Sequence, residues 1–332
     1  MNFAEAGILD ATTLKDYLHC PRKYYYRHVR GLAEETTGMA LYFGIAVHEG
    51  LELAYKWLKD NPHSEWDAAL VQAAKDRARS YYETSVDPDV LLTEDLRTPG
   101  KLDAVLHAYF NKYVLEPFTV VEVERPFYIN VNHDGSYVDA GWDTSPWLTA
   151  PTHRGLLENR KPVGGWSWVG RMDLVVNWDG GLRVIDHKTT WQMGVNFGNQ
   201  WSPEAQMAGY IQALELLFEG QVPVFGAAIN AIQVAKTQHG LGRYFTTRRA
   251  DELEVHRRSL KAWTDVIKRD EIYPQNTTAC NLYNKDCPYK GLCQQYPLPD
   301  TQLAPDEVPP GYVYSVWSPL DHLIKKGGGE GA

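Results

Sequence analysis

Residues 169–190 constrain this chain more than any other stretch. Val169-Gly170-Arg171-Met172-Asp173-Leu174-Val175-Val176 and Leu182-Arg183-Val184-Ile185-Asp186-His187-Lys188-Thr189-Thr190 are β-rich runs on either side of Asp179-Gly180. Asp-Gly between two such runs is the strongest short-range hairpin signal. With Asp179 and Gly180 as the turn, Trp178 pairs with Gly181 and Asp173 falls opposite Asp186. Side chains alternate along a strand, so Arg171, Asp173, Val175, Val184, Asp186 and Lys188 share one face. Like charges placed directly opposite destabilise a sheet, so two facing aspartates need a reason. A divalent cation is the simplest, because carboxylate oxygens suit Mg²⁺ or Mn²⁺. Lys188 adds a positive charge beside it. The alternative is a solvated hairpin with scattered charge.

Gly170-Arg171-Met172-Asp173 followed by Ile185-Asp186-His187-Lys188-Thr189 resembles the core of the PD-(D/E)xK nucleases of RecB type. The resemblance implies Asp173, Asp186 and the His187 carbonyl as metal ligands, with Lys188 assisting the attacking water. The second acid is Asp rather than Glu, a variant that the RecB type itself uses. Gly44-x-x-x-His48-x-x-Leu51-Glu52 resembles the segment whose histidine is a metal ligand, and Gln206 with Tyr210 matches the Gln-x-x-x-Tyr element. Taken alone, His48 reads as a partly buried structural histidine and Gln-x-x-x-Tyr carries no signal. Their order and distance around Asp-x-Lys give them meaning. Glu124 sits where related nucleases place a glutamate, although its residues alone read as an edge-strand charge.

Composition excludes several classes. At 332 residues, with 44% hydrophobic and 23% charged residues, the chain is long enough for one large domain or two small ones. No run approaches the roughly 20 apolar residues of a membrane span, so no membrane role is expected. Met1-Asn2-Phe3-Ala4-Glu5 lacks the basic and apolar regions of a secretory leader, which points to the cytoplasm, of a bacterial or phage-infected cell by the resemblance. A net charge of -9 argues against coating nucleic acid through the overall field and leaves a DNA substrate to a local groove.

Along the chain, residues 8–31 carry a helix behind a Thr cap. A second helical run follows Cys20-Pro21, with Arg22, Lys23, Arg27 and Arg30 interleaved with tyrosines. Basic residues among aromatics suit DNA binding, with Arg171 as a further contact; a solvated basic face with tyrosines inward is the equal alternative. Helices are expected at 41–59, 64–84, 101–116 and 250–270, and strands at 119–129, 222–235 and 241–247. Ser202-Pro203-Glu204 reads as the start of a helix whose buried stripe is Met207, Ile211, Leu214 and Phe218. Residues 132–167 read as an irregular insertion.

Cys20 stands apart, and Cys280, Cys287 and Cys293 cluster 260 residues later. With no export signal, four cysteines read first as a metal site, for which thiolates suit a [4Fe–4S] cluster or zinc; unligated thiols are the remaining alternative. One remote cysteine plus a C-terminal triplet resembles the cluster of iron–sulfur RecB-type nucleases, including the CRISPR-adaptation and AddB-like members. The spacing between Cys280 and Cys287 is longer than is usual there.

The reading is therefore an α/β protein with a restriction-endonuclease-like core: a central mixed β-sheet flanked by helices, and an iron–sulfur cap joining the N- and C-terminal segments. Residues 1–298 are expected to form one nuclease domain, and 299–332 a Pro/Gly-rich tail. The function implied is a Mg²⁺- or Mn²⁺-dependent DNA exonuclease, acting on ends or single strands in recombination, repair or phage DNA processing. No helicase loop is present in the sequence, so unwinding would fall to a helicase, recombinase or single-strand-binding partner. The competing reading is a non-catalytic DNA-binding iron–sulfur subunit, disfavoured because both acids and the lysine are retained.

Overall fold

The computed structural model describes residues 7–35, 38–132, 134–142, 165–237, 239–282, 285–304 and 306–319. Most of the insertion expected at 132–167, and the chain from 320 onward, lie outside the described residues. In chain order the strands are β1 (Ile8–Leu9), β2 (Leu32–Glu34), β3 (Thr119–Asn132), β4 (Tyr137–Gly141), β5 (Gly165–Trp178), β6 (Gly181–Thr190), β7 (Val224–Gln233), β8 (Leu241–Thr246), β9 (Asn281–Leu282), β10 (Lys285–Asp286) and β11 (Tyr312–Tyr314). The helices are α1 (Ala11–His19), α2 (Pro21–Tyr24), α3 (Met39–Asp60), α4 (Ala68–Ser85), α5 (Pro88–Thr93), α6 (Pro99–Lys112), α7 (Val195–Asn199), α8 (Ala205–Leu217), α9 (Ala250–Arg269), α10 (Lys290–Gln295) and α11 (Pro299–Gln302). A π-helical turn, Tyr25–Val29, follows α2.

A mixed seven-stranded sheet has the order β4-β3-β5-β6-β7-β8, with β1 parallel to β5. Only β6 and β7 are parallel within the main path among the registers given; β5–β6 and β7–β8 are antiparallel. The expected α/β architecture, a central mixed sheet flanked by helices, is thus the one observed. The chain forms two compact units, one from Met1–Thr36, Pro126–Gly170 and Glu254–Ala332, the other from Thr37–Arg125 and Arg171–Leu253. Sequence reading draws no boundary inside 1–298, because each unit is assembled from separated segments.

In the second unit the hairpin forms as the residues dictate. Asp179 and Gly180 have φ of 56° and 84°, the positive values that a two-residue type I′ turn needs. The ladder then runs from Trp178↔Gly181 to Leu174↔Ile185. One face of the sheet supplies Leu174, Val176, Ile185, Ala228 and Ile232 to a core completed by Phe43, Val47, Leu51 and Leu58 of α3 and by residues of α4 and α6. α3 and α4 pack so closely at Gly50 that an added Cβ would stand 2.8 Å from the carbonyl of Ala74. On α8, Met207, Ile211 and Leu214 are buried, as their spacing predicts, and Phe218 is half-buried. The helix begins later than Ser202-Pro203 suggests: Glu204 is the cap, its carboxylate accepting from the Gln206 N–H at 2.5 Å. A carboxylate is as good an N-cap acceptor as a serine hydroxyl and also complements the helix dipole.

In the first unit α1 is capped by Asp10, which accepts from the Thr13 N–H at 2.7 Å, rather than by a threonine. The chain beyond 299 is not only a loose tail: β11 pairs antiparallel with β2, Tyr312 opposite Glu34. Its Trp317 takes the Arg27 guanidinium over its ring at 5.2 Å.

Candidate active site

The β5–β6 ladder ends at Leu174↔Ile185, and the next pair in the same register is Asp173 with Asp186. Two facing carboxylates do not hold a ladder together, and here the backbone bond is replaced. The His187 N–H donates to Asp173 Oδ2 at 2.7 Å. Lys188, on the same face as Asp186, lies 3.0 Å from Oδ1, to which it donates, and 2.8 Å from Oδ2. Its Nζ also stands 5.9 Å from the centroid of the Trp201 ring.

α3 brings His48 to this fork. Its Nε2 donates to the His187 carbonyl at 2.8 Å, and its Nδ1 faces Asp173 at 3.5 Å and Glu124 at 3.8 Å. His48, Glu124 and Asp173 each offer a ligand atom, and the three lie within 4.8 Å of one another. Glu124, read from the sequence as an edge charge, therefore belongs to the centre. It reaches it through a φ of 48°, a left-handed conformation that costs a non-glycine residue on the order of 1–3 kcal/mol and recurs at functional sites. Pro126, two residues on, is the available signal: proline inside a strand marks an irregularity.

The electrostatics suit a cation. Burial pushes the Asp186 carboxyl up to about 6; Lys188 opposes that shift and Asp173 adds to it. Burial likewise raises Asp173, with His48 lowering it and Glu124 raising it. Burial alone would lower His48, but Asp173 and Glu124 outweigh it and hold the imidazole at about 9. Each ring nitrogen of His48 faces an oxygen acceptor, so an imidazolium supplies the positive charge that the two carboxylates require. A divalent cation fits the same donor set, since hard oxygens and one imidazole are suitable ligands and binding would displace the histidine proton.

The Gln-x-x-x-Tyr pair supports the fork from α8. Gln206 Nε2 donates to the Tyr210 hydroxyl at 2.8 Å, and that hydroxyl donates to the Arg171 carbonyl at 2.7 Å. This fixes β5 two residues before Asp173. The Arg171 guanidinium itself points to Glu124 at 3.9 Å.

The other basic residues singled out in the sequence serve as ties within the first unit. Arg22 is buried and donates to the carbonyls of Tyr273, Ile272 and Pro297. Lys23 pairs with Asp16 at 2.6 Å and Arg27 lies 3.5 Å from the same carboxylate. Arg30 donates to the carbonyls of Leu303, Ala304 and Glu307.

None of the four cysteines forms a disulfide, and all four belong to the first unit. Cys20, buried, accepts from the Asn276 N–H at 3.4 Å, and the Cys287 N–H donates to the Cys280 carbonyl at 2.9 Å. Burial pushes Cys293 up to about 11, with Arg22 lowering it and Cys20, Cys287 and Cys280 raising it further. Cys287 is raised by burial, and Cys20 and Cys280 add to the shift. The fold has thus brought residues 20, 280, 287 and 293 within one another's electrostatic reach.

A helix-flanked mixed sheet carries acids, a histidine and a lysine to one strand fork, an arrangement suited to metal-dependent hydrolysis of phosphodiesters. The model of the PD-(D/E)XK nuclease superfamily matches residues 9–294, and the chain belongs to that superfamily. No curated protein sequence matches it. No helix among the described residues is long and apolar enough to cross a membrane.

Proposed function

We propose that this protein is a DNA exonuclease of RecB type, using Mg²⁺ or Mn²⁺ held by His48, Asp173, Asp186 and the His187 carbonyl, with Glu124 as an additional carboxylate. The observation that carries the reading is the meeting of the His48–Glu124–Asp173 group with the Asp186–Lys188 pair at one fork. A bound divalent cation supplies an activated water and neutralises charge on the phosphodiester. Lys188, held by Asp186, orients the attacking water and presents positive charge where the phosphorane develops it. Gln206 and Tyr210 hold β5 so that Asp173 keeps its place. Arg171 is the DNA-contacting candidate beside the fork; Lys23 and Arg27 are already engaged with Asp16, and the donors of Arg22 and Arg30 with carbonyls. Recombination, repair or phage DNA processing, in the cytoplasm and alongside an unwinding partner, is the setting that the RecB resemblance suggests.

The four cysteines are the ligands of a [4Fe–4S] cluster in this proposal, with zinc as the competing occupant. Their convergence from residues 20 and 280–293, and the N–H aimed at the Cys20 sulfur, support it. Digestion of linear and covalently closed circular DNA, with and without EDTA, tests the nuclease. Metal-dependent loss of linear DNA from its ends is expected. Efficient nicking of closed circles with no preference for ends rules out the exonuclease, and no cleavage with any divalent metal rules out the enzyme.

A further inference from the structure

His187 does two jobs with its main chain: its N–H holds Asp173 and its carbonyl faces His48. Its side chain points away from the fork into the helical core, where it is only 3% exposed. There the ring is stacked on Tyr55 (centroids 5.6 Å apart, planes at 19°) and meets Tyr109 edge-on at 6.5 Å. Asn230, its neighbour across the parallel β6–β7 ladder, lies with Nδ2 2.9 Å from His187 Nδ1.

Asn230 begins a chain of hydrogen bonds with one consistent direction. Its Nδ2 also donates to the Tyr109 hydroxyl at 2.6 Å, which sits 2.5 Å from the Tyr55 hydroxyl. Tyr55 donates to Glu116 Oε1 at 2.5 Å, and Arg243 donates to the same oxygen at 2.6 Å. The Arg243 guanidinium is itself 4.0 Å from the centroid of the Tyr113 ring.

Such an assembly is a poor way to stabilise a core. Glu116 and Arg243 form a buried ion pair, and Asn230 Oδ1 and Glu116 Oε2 are buried with no hydrogen-bond partner among the described residues. Desolvation of a buried pair commonly cancels its attraction, and each unsatisfied acceptor is a further cost. Apolar residues of similar volume would stabilise at least as well. What the network does supply is a fixed direction for one imidazole, and therefore for the peptide groups on either side of it.

We infer that Asn230, Tyr109 and Tyr55, anchored by the Glu116–Arg243 pair, are positioning residues for the metal centre. They act through the His187 side chain to set its carbonyl and its N–H bond to Asp173. The inference rests on the metal-centre reading above. It implies that the centre is held from the opposite face of β6, by residues that touch neither metal nor DNA.

The test is Mn²⁺ binding by electron paramagnetic resonance in the absence of DNA, on full-length Asn230→Leu and Tyr55→Phe proteins, beside thermal unfolding. Tyr55→Phe keeps the stacked ring and removes only the hydroxyl. Positioning predicts Mn²⁺ affinity lowered about 10-fold or more in both, as for outer-shell partners of metal ligands. Each substitution strands a buried partner, so the unfolding temperature should fall modestly while the protein stays folded at the assay temperature, and kcat should fall with KM for DNA held. Wild-type Mn²⁺ affinity in folded variants overturns the inference; if Asn230→Leu does not fold, Tyr55→Phe decides alone. A wild-type protein that binds no Mn²⁺ at all overturns the metal-centre reading instead.

Discussion

Asp173 and His187 meet at the point where two strands stop pairing: the His187 N–H, 2.7 Å from Asp173 Oδ2, bonds a carboxylate where the ladder would offer a carbonyl. The fork is therefore maintained by a side chain that is also a metal-ligand candidate. Asp173→Ala removes both functions, so it should lose activity on the order of 100-fold or more and also disturb the placement of His187. Lys188→Ala removes the charge beside the water together with the ion-pair partner of Asp186, and should cost kcat by a comparable factor while lowering Mn²⁺ affinity far less than Asp173→Ala does. Single-turnover cleavage with Mn²⁺ titrations separates the two. Equal loss of Mn²⁺ affinity in both variants would take Lys188 out of its assigned role.

The second prediction concerns pH. The folded Asp186 carboxyl titrates at about 6 against an ordinary 3.8, because burial disfavours its ionised form. For a raised carboxyl the sign is clear: in the metal-free protein its stability contribution is fully present below 3.8 and lost as pH rises through about 6. Bound cation reverses this, since it requires the ionised carboxylate. Saturating Mg²⁺ should therefore raise the unfolding temperature more at pH 7.5 than at pH 5, and Mn²⁺ affinity should fall steeply below about 6. A thermal shift independent of pH across this range would exclude Asp186 as a ligand.

Much of this was legible in the sequence, for a physical reason. The Asp-Gly turn fixes a register, register fixes which residues face each other, and two opposed acids followed by a lysine leave few uses. The same logic placed α3, α6 and β7–β8, whose apolar periodicity is strong. Alternation alone makes Glu124 an edge-strand charge and only the resemblance puts a glutamate near the site, because its approach to His48 depends on a left-handed backbone that no alternation pattern encodes. Arg22 and Arg30 misled because basic residues among tyrosines look alike whether they face phosphates or carbonyls. Here the carbonyls come from 250 and more residues away, which local reading does not foresee. The buried Asn230–Tyr109–Tyr55–Glu116 chain was invisible for the same reason: its members come from four separate elements or loops.

Asp16 gives a third test, in the first unit. Burial alone would raise its carboxyl, but His28 at 2.9 Å, Lys23 at 2.6 Å and Arg27 outweigh that and hold it down at about 2 against 3.8. A lowered carboxyl contributes stability that is complete above 3.8 and is lost as pH falls through about 2. The contribution is about 2 kcal/mol at neutral pH. Asp16→Asn should lose a similar amount in urea unfolding at pH 7 and show a flatter acid limb below 3.8. Superimposable acid limbs for the two proteins would remove Asp16 as the anchor of this segment.

The cysteines give the last. Cys20, Cys280, Cys287 and Cys293 are all the cysteines of the chain, so a four-thiolate cluster uses every one. In the free protein burial holds Cys293 at about 11 and raises Cys287, so neither is a ready thiolate at neutral pH. Ligation, which binds thiolates, must supply the driving force for losing those protons. Anaerobically purified protein should accordingly be brown, with about four irons per chain. The ligands tie residue 20 to residues 280–293, where Asn276 already bonds both Cys20 Sγ and the His19 carbonyl. Cys20→Ala should therefore open the first unit before anything else: trypsin should cut near Lys23 and Arg27 sooner than in wild type. Because no cysteine belongs to the hydrolytic centre, stability should suffer more than the cleavage chemistry does. A colourless protein with one zinc and no iron, prepared without oxygen, would replace the cluster with zinc and leave the nuclease assignment standing.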